Sequence, residues 1–211
     1  MGDFMFRVGQ SMLAPRIDRA IPRVALQQQN IERCQLLLDR RALLERLPAG
    51  GVCAEIGVDQ GDFTAEIFAI SQPSRLHLID MWGTRRYSQR KFERVTSRFD
   101  TRIADGSVVV HRQSSLDAAA EFDDNVFDWV YVDTTHAYEL TAAELRAYAP
   151  KVKPGGFIAG HDYAMGNWSK VLRYGVIEAV HEFCVECEWE LVFLTAESIE
   201  NQSFALRRIG A

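Results

Sequence analysis

Cysteine is scarce: four residues scattered through 211 are too few to staple a chain of this length, so a packed core has to hold it. No apolar run approaches the roughly 20 residues of a membrane span, and Met1-Gly2-Asp3-Phe4 lacks the basic start of a secretory signal. A soluble, cytoplasmic protein with no membrane partner is the expectation. Basic charge is not in excess either: 24 Lys and Arg against 29 Asp and Glu give a formal net charge of -5, which argues against nucleic acid as a partner. Repeats and low-complexity tracts are absent. The spacing His181-x-x-Cys184-x-x-Cys187 has no second Cys/His pair nearby and drifts around a helix, so it reads as small core cysteines with a surface histidine.

What the chain has is a 47% hydrophobic content arranged in alternating periods. Residues Met1 to about Pro22 read as a loose arm. From Arg23 to Leu47, Val24, Ile31, Cys34, Leu37, Leu38 and Leu44 make a broad apolar stripe, which predicts one helix ended by Pro48-Ala49-Gly50-Gly51. That helix either docks on the main domain or forms a lid or a homo-oligomer contact. The expected division is an arm and helix over 1–48 and one domain over 49–211. Within the domain, short apolar runs alternate with helical spacing, giving an α/β, Rossmann-like, doubly wound sheet of seven strands. It is mostly parallel and closes with an antiparallel C-terminal hairpin from Trp189–Thr195 and Ser203–Arg208.

The chain is organised around Ala54-Glu55-Ile56-Gly57-Val58-Asp59-Gln60-Gly61-Asp62-Phe63-Thr64, read as strand, glycine turn and helix. Gly57 and Gly61 lack a Cβ, so a ligand can lie on main-chain atoms at the start of the helix. The spacing acidic-x-Gly-x-x-x-Gly is not the Gly-x-Gly-x-x-Gly that seats a pyrophosphate. Glu55 would repel a diphosphate and could hold a cationic ligand. The stretch resembles the first motif of the class I S-adenosylmethionine-dependent methyltransferases, which implies cofactor contacts from Glu55, Gly57, Gly61 and Thr64.

Further along, Asp80 ends the next strand where a ribose diol is gripped in Rossmann-like folds, and Met81 and Trp82 could pack on the adenine, Trp82 being as plausible as a lid or core aromatic. His77, inside that strand, reads as a core histidine. The arginine-rich stretch from Gly83 to Asp105 is either solvated surface or, through Arg85 or Arg86, a means of recognising an acidic substrate. Ser115 is expected to cap the helix at the next corner, with Gln113 and Ser114 as adenine contacts. Glu55, Asp80, Asp133, His136, His161 and Asp162 all fall at strand ends, on the rim where an open α/β sheet binds its ligands.

Three later motifs, Asp128-Trp-Val-Tyr-Val-Asp133-x-x-His136-x-Tyr138, Lys153-Pro-Gly-Gly156 and Gly160-His161-Asp162-Tyr163, resemble the small-molecule O-methyltransferases of the macrocin and mycinamicin type and the similar cephalosporin-pathway enzymes. The resemblance runs from about Gly51 to Arg208. It implies a small-molecule acceptor, S-adenosylmethionine bound partly by Asp133, and a Mg²⁺-like divalent ion held by Asp133 and Asp162, with His161 where an acid is often found. A histidine there either tilts the site towards a softer metal or means that none is bound. Methyl transfer to a hydroxyl also needs a proton removed, and in the resembled group a histidine at the place of His136 has that role, beside Asp133. Two rivals remain: an N- or C-methyltransferase of the same fold, and a cofactor-binding module without turnover.

Overall fold

Runs such as Val52-Cys53-Ala54 and Trp129-Val130-Tyr131-Val132 are apolar on both sides of the chain, and that pattern is stable only where helices cover both faces of a sheet. The computed structural model describes residues 20–167, 172–197 and 200–210; the expected arm therefore lies largely outside the described residues. In chain order the elements are β1 (Gln35–Leu37), α1 (Arg40–Leu44), β2 (Val52–Ile56), α2 (Asp62–Ile70), β3 (Arg75–Ile79), α3 (Gln89–Arg98), α4 (Asp100–Ala104), β4 (Val108–His111), α5 (Ser115–Glu121) and β5 (Phe127–Val132). There follow α6 (Tyr138–Tyr148), β6 (Val152–Gly160), the short pair β7 (Gly166–Asn167) and β8 (Leu172–Arg173), α7 (Val176–Cys187), β9 (Trp189–Thr195) and β10 (Phe204–Arg208).

The main sheet has the order β1-β9-β10-β6-β5-β2-β3-β4, and β10 alone runs antiparallel to its neighbours. This is the doubly wound fold that the alternation of periods implies. Strand order reverses beside β2, which has β5 on one side and β3 on the other, so the carboxyl ends of β2 and β5 open a crevice at a topological switch point. Side-chain alternation along β5 sends Val130 and Val132 to the face covered by α5, α6 and α7, with Leu145, Val180 and Phe183. Trp129 and Tyr131 go to the face covered by α1, α2 and α3, with Leu43, Ile67 and Val95. Each such side chain, fully buried, contributes about 1.5–3 kcal/mol.

The expected helix over Arg23–Leu47 does not form, and the sheet has eight strands rather than seven. The segment is a 3₁₀ turn at Gln28–Asn30, then β1, then α1. Two local facts account for it. The buried Asn30 side chain donates to the carbonyls of Cys184 and Trp189 at 3.1 and 2.9 Å, tying the turn to the α7–β9 corner, and Asp39 caps α1 by accepting from the Ala42 amide at 2.8 Å. Parallel pairing with β9 then satisfies backbone groups that would otherwise form an open sheet edge. Of the predicted stripe, Leu37 and Leu44 are buried while Leu38 is 77% exposed.

No helix among the described residues is long and apolar enough to cross a membrane. Cys184 is buried and His181 Nε2 lies 2.6 Å from the Tyr163 hydroxyl, a packing role for that spacing. His77 is half-buried with Nδ1 2.9 Å from His111 Nε2, and burial, with His111 adding to it, pushes its pKa down to about 4.

Candidate active site

Gly57 leaves β2 with φ +93°, and its amide donates to the Ile79 carbonyl at 2.8 Å. A Cβ built there would stand 1.9 Å from the carbonyl oxygen of Asp133. What approaches this backbone is therefore the end of β5, and the glycine brings the two strand exits together. Gly61 (φ +80°) starts α2, where a Cβ would press on Phe99 and Val95 of the arginine-rich segment at 3.0 and 3.3 Å.

Three of the predicted cofactor residues hold the loop from beneath. Asp80 Oδ2 accepts from the amides of Val58 and Asp59 at 3.1 and 3.0 Å, and its Oδ1 accepts from the Trp82 amide at 3.0 Å. Its carboxylate thus occupies the amide cradle that a phosphate would need, in keeping with a phosphate-free ligand. Glu55 is fully buried and accepts from Thr64 Oγ1 at 2.5 Å, so neither reaches the open cleft. Trp82 is also buried, donates through Nε1 to the Asp59 carbonyl at 2.8 Å and meets Phe92 edge-on, the core aromatic of the alternatives its position offered. Met81 stays exposed. At the β4–α5 corner the cap is Ser114, accepting from the Asp117 amide at 3.1 Å, and Ser115 is the first helical residue instead. Gln113 Nε2 is buried without a hydrogen-bond partner.

Burial pushes the Glu55 carboxyl up to about 8, against the opposing hydrogen bond from Thr64. The unfolded chain releases this proton near the ordinary value of 4.5, so between the two values the unfolded state binds fewer protons and stability declines as pH rises. The melting temperature should fall by several degrees from about pH 6 to about pH 9, and Glu55→Gln should flatten the decline. An equal slope in the variant, measured by circular dichroism, would contradict this placement of Glu55.

Past the loop, a cavity of about 330 Å³ opens at the switch point, lined by Gly57, Asp59, Arg86 and Tyr87 together with Asp133, His136, His161, Asp162 and Tyr174. His136 Nδ1 lies 3.0 Å from Asp162 Oδ2, and Asp162 Oδ1 also accepts from Asn201. Both His136 and Asp162 have positive φ, +60° and +58°. His136 is further fixed by its carbonyl, which accepts from the Gly175 amide at 2.8 Å, and by the Tyr174 ring, 4.6 Å between centroids. Burial raises the Asp133 carboxyl, opposed by His161, with Asp162 adding to the rise and His136 and Arg40 opposing it.

Donor atoms of Asp133, His136 and Asp162 lie within 4.8 Å of one another. Two carboxylates and an imidazole fit a divalent cation, whose charge would relieve the penalty on Asp133. Of the three expected ligands, Asp133 and Asp162 belong to this group and His136 completes it, while His161, on the cavity wall, has Nδ1 2.9 Å from Ser203 Oγ. Tyr174, Asn201 and Glu200 were not legible in advance. They arrive from segments with no motif, although the Tyr174-Gly175 step ahead of α7 is a signal that a turn packs there.

A family model described as a methyltransferase domain matches residues 54–163, just over half of the chain. The chain belongs to this methyltransferase family. Membership implies S-adenosylmethionine as methyl donor. None of the curated proteins compared matches the sequence. Solved structures similar in fold include a putative rRNA-methylase from Clostridium thermocellum, at 13% identity over 81% of this chain and 95% of that one, TM-score 0.58. The N-methyltransferase NodS from Bradyrhizobium japonicum is 19% identical over 79% of this chain and 92% of its own, TM-score 0.54. The pyocyanin biosynthetic protein PhzM is 12% identical with TM-score 0.62, and the match covers 81% of this chain but 54% of that longer one. These likenesses are of fold.

Proposed function

We propose that this methyltransferase acts on a hydroxyl of a small molecule, a sugar or another natural product, with a divalent cation assisting. The observation that carries the reading is the His136–Asp162 pair at 3.0 Å, beside Asp133 on the wall of the cavity at the ends of β5 and β6. S-adenosylmethionine when bound supplies an electrophilic sulfonium methyl, and a bound cation would supply positive charge to the site. Gly57, Asp80, Met81, Ser114 and Ser115 would hold the cofactor, and the unpartnered Gln113 Nε2 supplies a donor suited to an adenine nitrogen. Asp133 and Asp162 would hold the cation.

A hydroxyl is a weak nucleophile until its proton leaves, so the chain's own contribution is a base and its orientation. With the proton of the neutral imidazole on Nδ1 and donated to Asp162, the lone pair falls on Nε2, the nitrogen left to accept a proton. Tyr174 and the Gly175 amide keep the ring from turning away. Such a base contributes about 10²–10⁴ in rate. A cation held by Asp133 and Asp162 leaves that nitrogen free.

The test is incubation with methyl-labelled S-adenosylmethionine, Mg²⁺ or Mn²⁺, and a panel of hydroxylated and amino acceptors, with products read by mass spectrometry. Label on oxygen is expected. Label on nitrogen or carbon would replace the O-directed reading, and no transfer to any acceptor would favour a binding module.

A further inference from the structure

Three acids on the cavity wall, Asp59, Asp162 and Glu200, have a basic partner. Asp59 is paired with Lys91, Glu200 lies 3.4 Å from Arg40, and Asp162 is bonded to His136. Asp133 has both histidines near it. Arg86 lines the same cavity and has no carboxylate in ion-pair reach among the described residues.

Its guanidinium sits over the Tyr87 ring, 5.2 Å from the centroid, so an aromatic face holds it without neutralising it. Tyr174 lines the same cavity: its phenol is raised first by burial and then by Asp162, and Asn167 and Arg86 draw it back. Arg86 thus shares one cavity with the His136–Asp162 pair. A guanidinium offers a planar fork of donors matched to a two-oxygen anion.

From this we infer that Arg86 selects the acceptor: the molecule methylated carries an oxyanion, a carboxylate or a phosphate, apart from its reacting hydroxyl, and Arg86 binds it. The inference rests on the proposed function, since it names the class of acceptor for that site. It adds a requirement that a hydroxyl alone does not impose. Arg86 is exposed, as are Arg85 and Arg90, but of the three only Arg86 lines the cavity.

The experiment uses the full chain loaded with S-adenosylhomocysteine and Mg²⁺, titrated calorimetrically with matched pairs that differ in the anion: glucuronate and its methyl ester, 3,4-dihydroxybenzoate and its methyl ester, glucose 6-phosphate and glucose. The acid of at least one pair should bind about 10–100-fold tighter than its neutral twin, a range set by one charge-assisted contact. The carboxylate and phosphate arms tell the two sources of the oxyanion apart. Arg86→Ala should erase the preference and Arg86→Lys should keep part of it, while both variants still take S-adenosylhomocysteine. Equal affinities within every pair, no binding by any acid, or a preference that survives Arg86→Ala would overturn the inference alone. Failure of the wild type to bind S-adenosylhomocysteine would overturn the functional reading and the inference with it.

Discussion

Gly57→Ala is expected to cost about 3–5 kcal/mol of folding stability, a large share of the roughly 5–15 kcal/mol that holds a typical domain. Two independent penalties meet at this position. An alanine at φ +93° is strained by about 1–2 kcal/mol, and its methyl would lie 1.9 Å from the Asp133 carbonyl oxygen, an overlap that only separation of the β2 and β5 ends can relieve. Gly50 is the internal control: it too has positive φ, +74°, but nothing stands within 4 Å of a Cβ there. Gly50→Ala should therefore cost about 1 kcal/mol. Urea unfolding of the two variants compares them directly. Equal losses would mean that the strand exits are not as close as described.

Asp133→Asn is expected to lower turnover by about 10²–10³ and to weaken divalent-cation binding by at least about tenfold. The same change should raise the melting temperature. In the native chain Asp133 is half-buried beside Asp162, and desolvation is the main reason that its carboxyl is raised from the ordinary value. An amide of the same shape removes that cost along with the negative charge that a cation would meet. Opposite changes in stability and activity distinguish a working carboxylate from one that only caps a turn, because loss of a cap would lower both. Melting curves, cation titration and initial rates on one protein preparation read all three effects. A variant that melts lower and keeps its cation affinity would contradict the role given to Asp133.

The reach of the sequence can be judged from particular residues. The β2–loop–α2 unit was legible because apolar spacing changes period within a few positions and glycines mark the change. The helix begins at Asp62, as that spacing implies. Strand ends were legible for the same reason, so Asp80, Asp133 and His136 were placed on the correct rim. Their bonding was not. Nothing local shows that Asp80 clasps the amides of Val58 and Asp59, or that Trp82 turns inward to reach the Asp59 carbonyl. The segment before Pro48 misled because its stripe suits a helix taken alone. Its fate is decided by Asn30, which bonds to carbonyls more than 150 residues away, and by the β9 edge that β1 covers. Distance in sequence also hid Tyr174 and Asn201, which only the folded chain brings to His136 and Asp162.

Every role given to the cavity depends on the assignment of S-adenosylmethionine as the cofactor. Calorimetric titration of the wild-type chain with S-adenosylhomocysteine, the demethylated product, should show one site per chain. Absence of binding, with and without Mg²⁺, would contradict it.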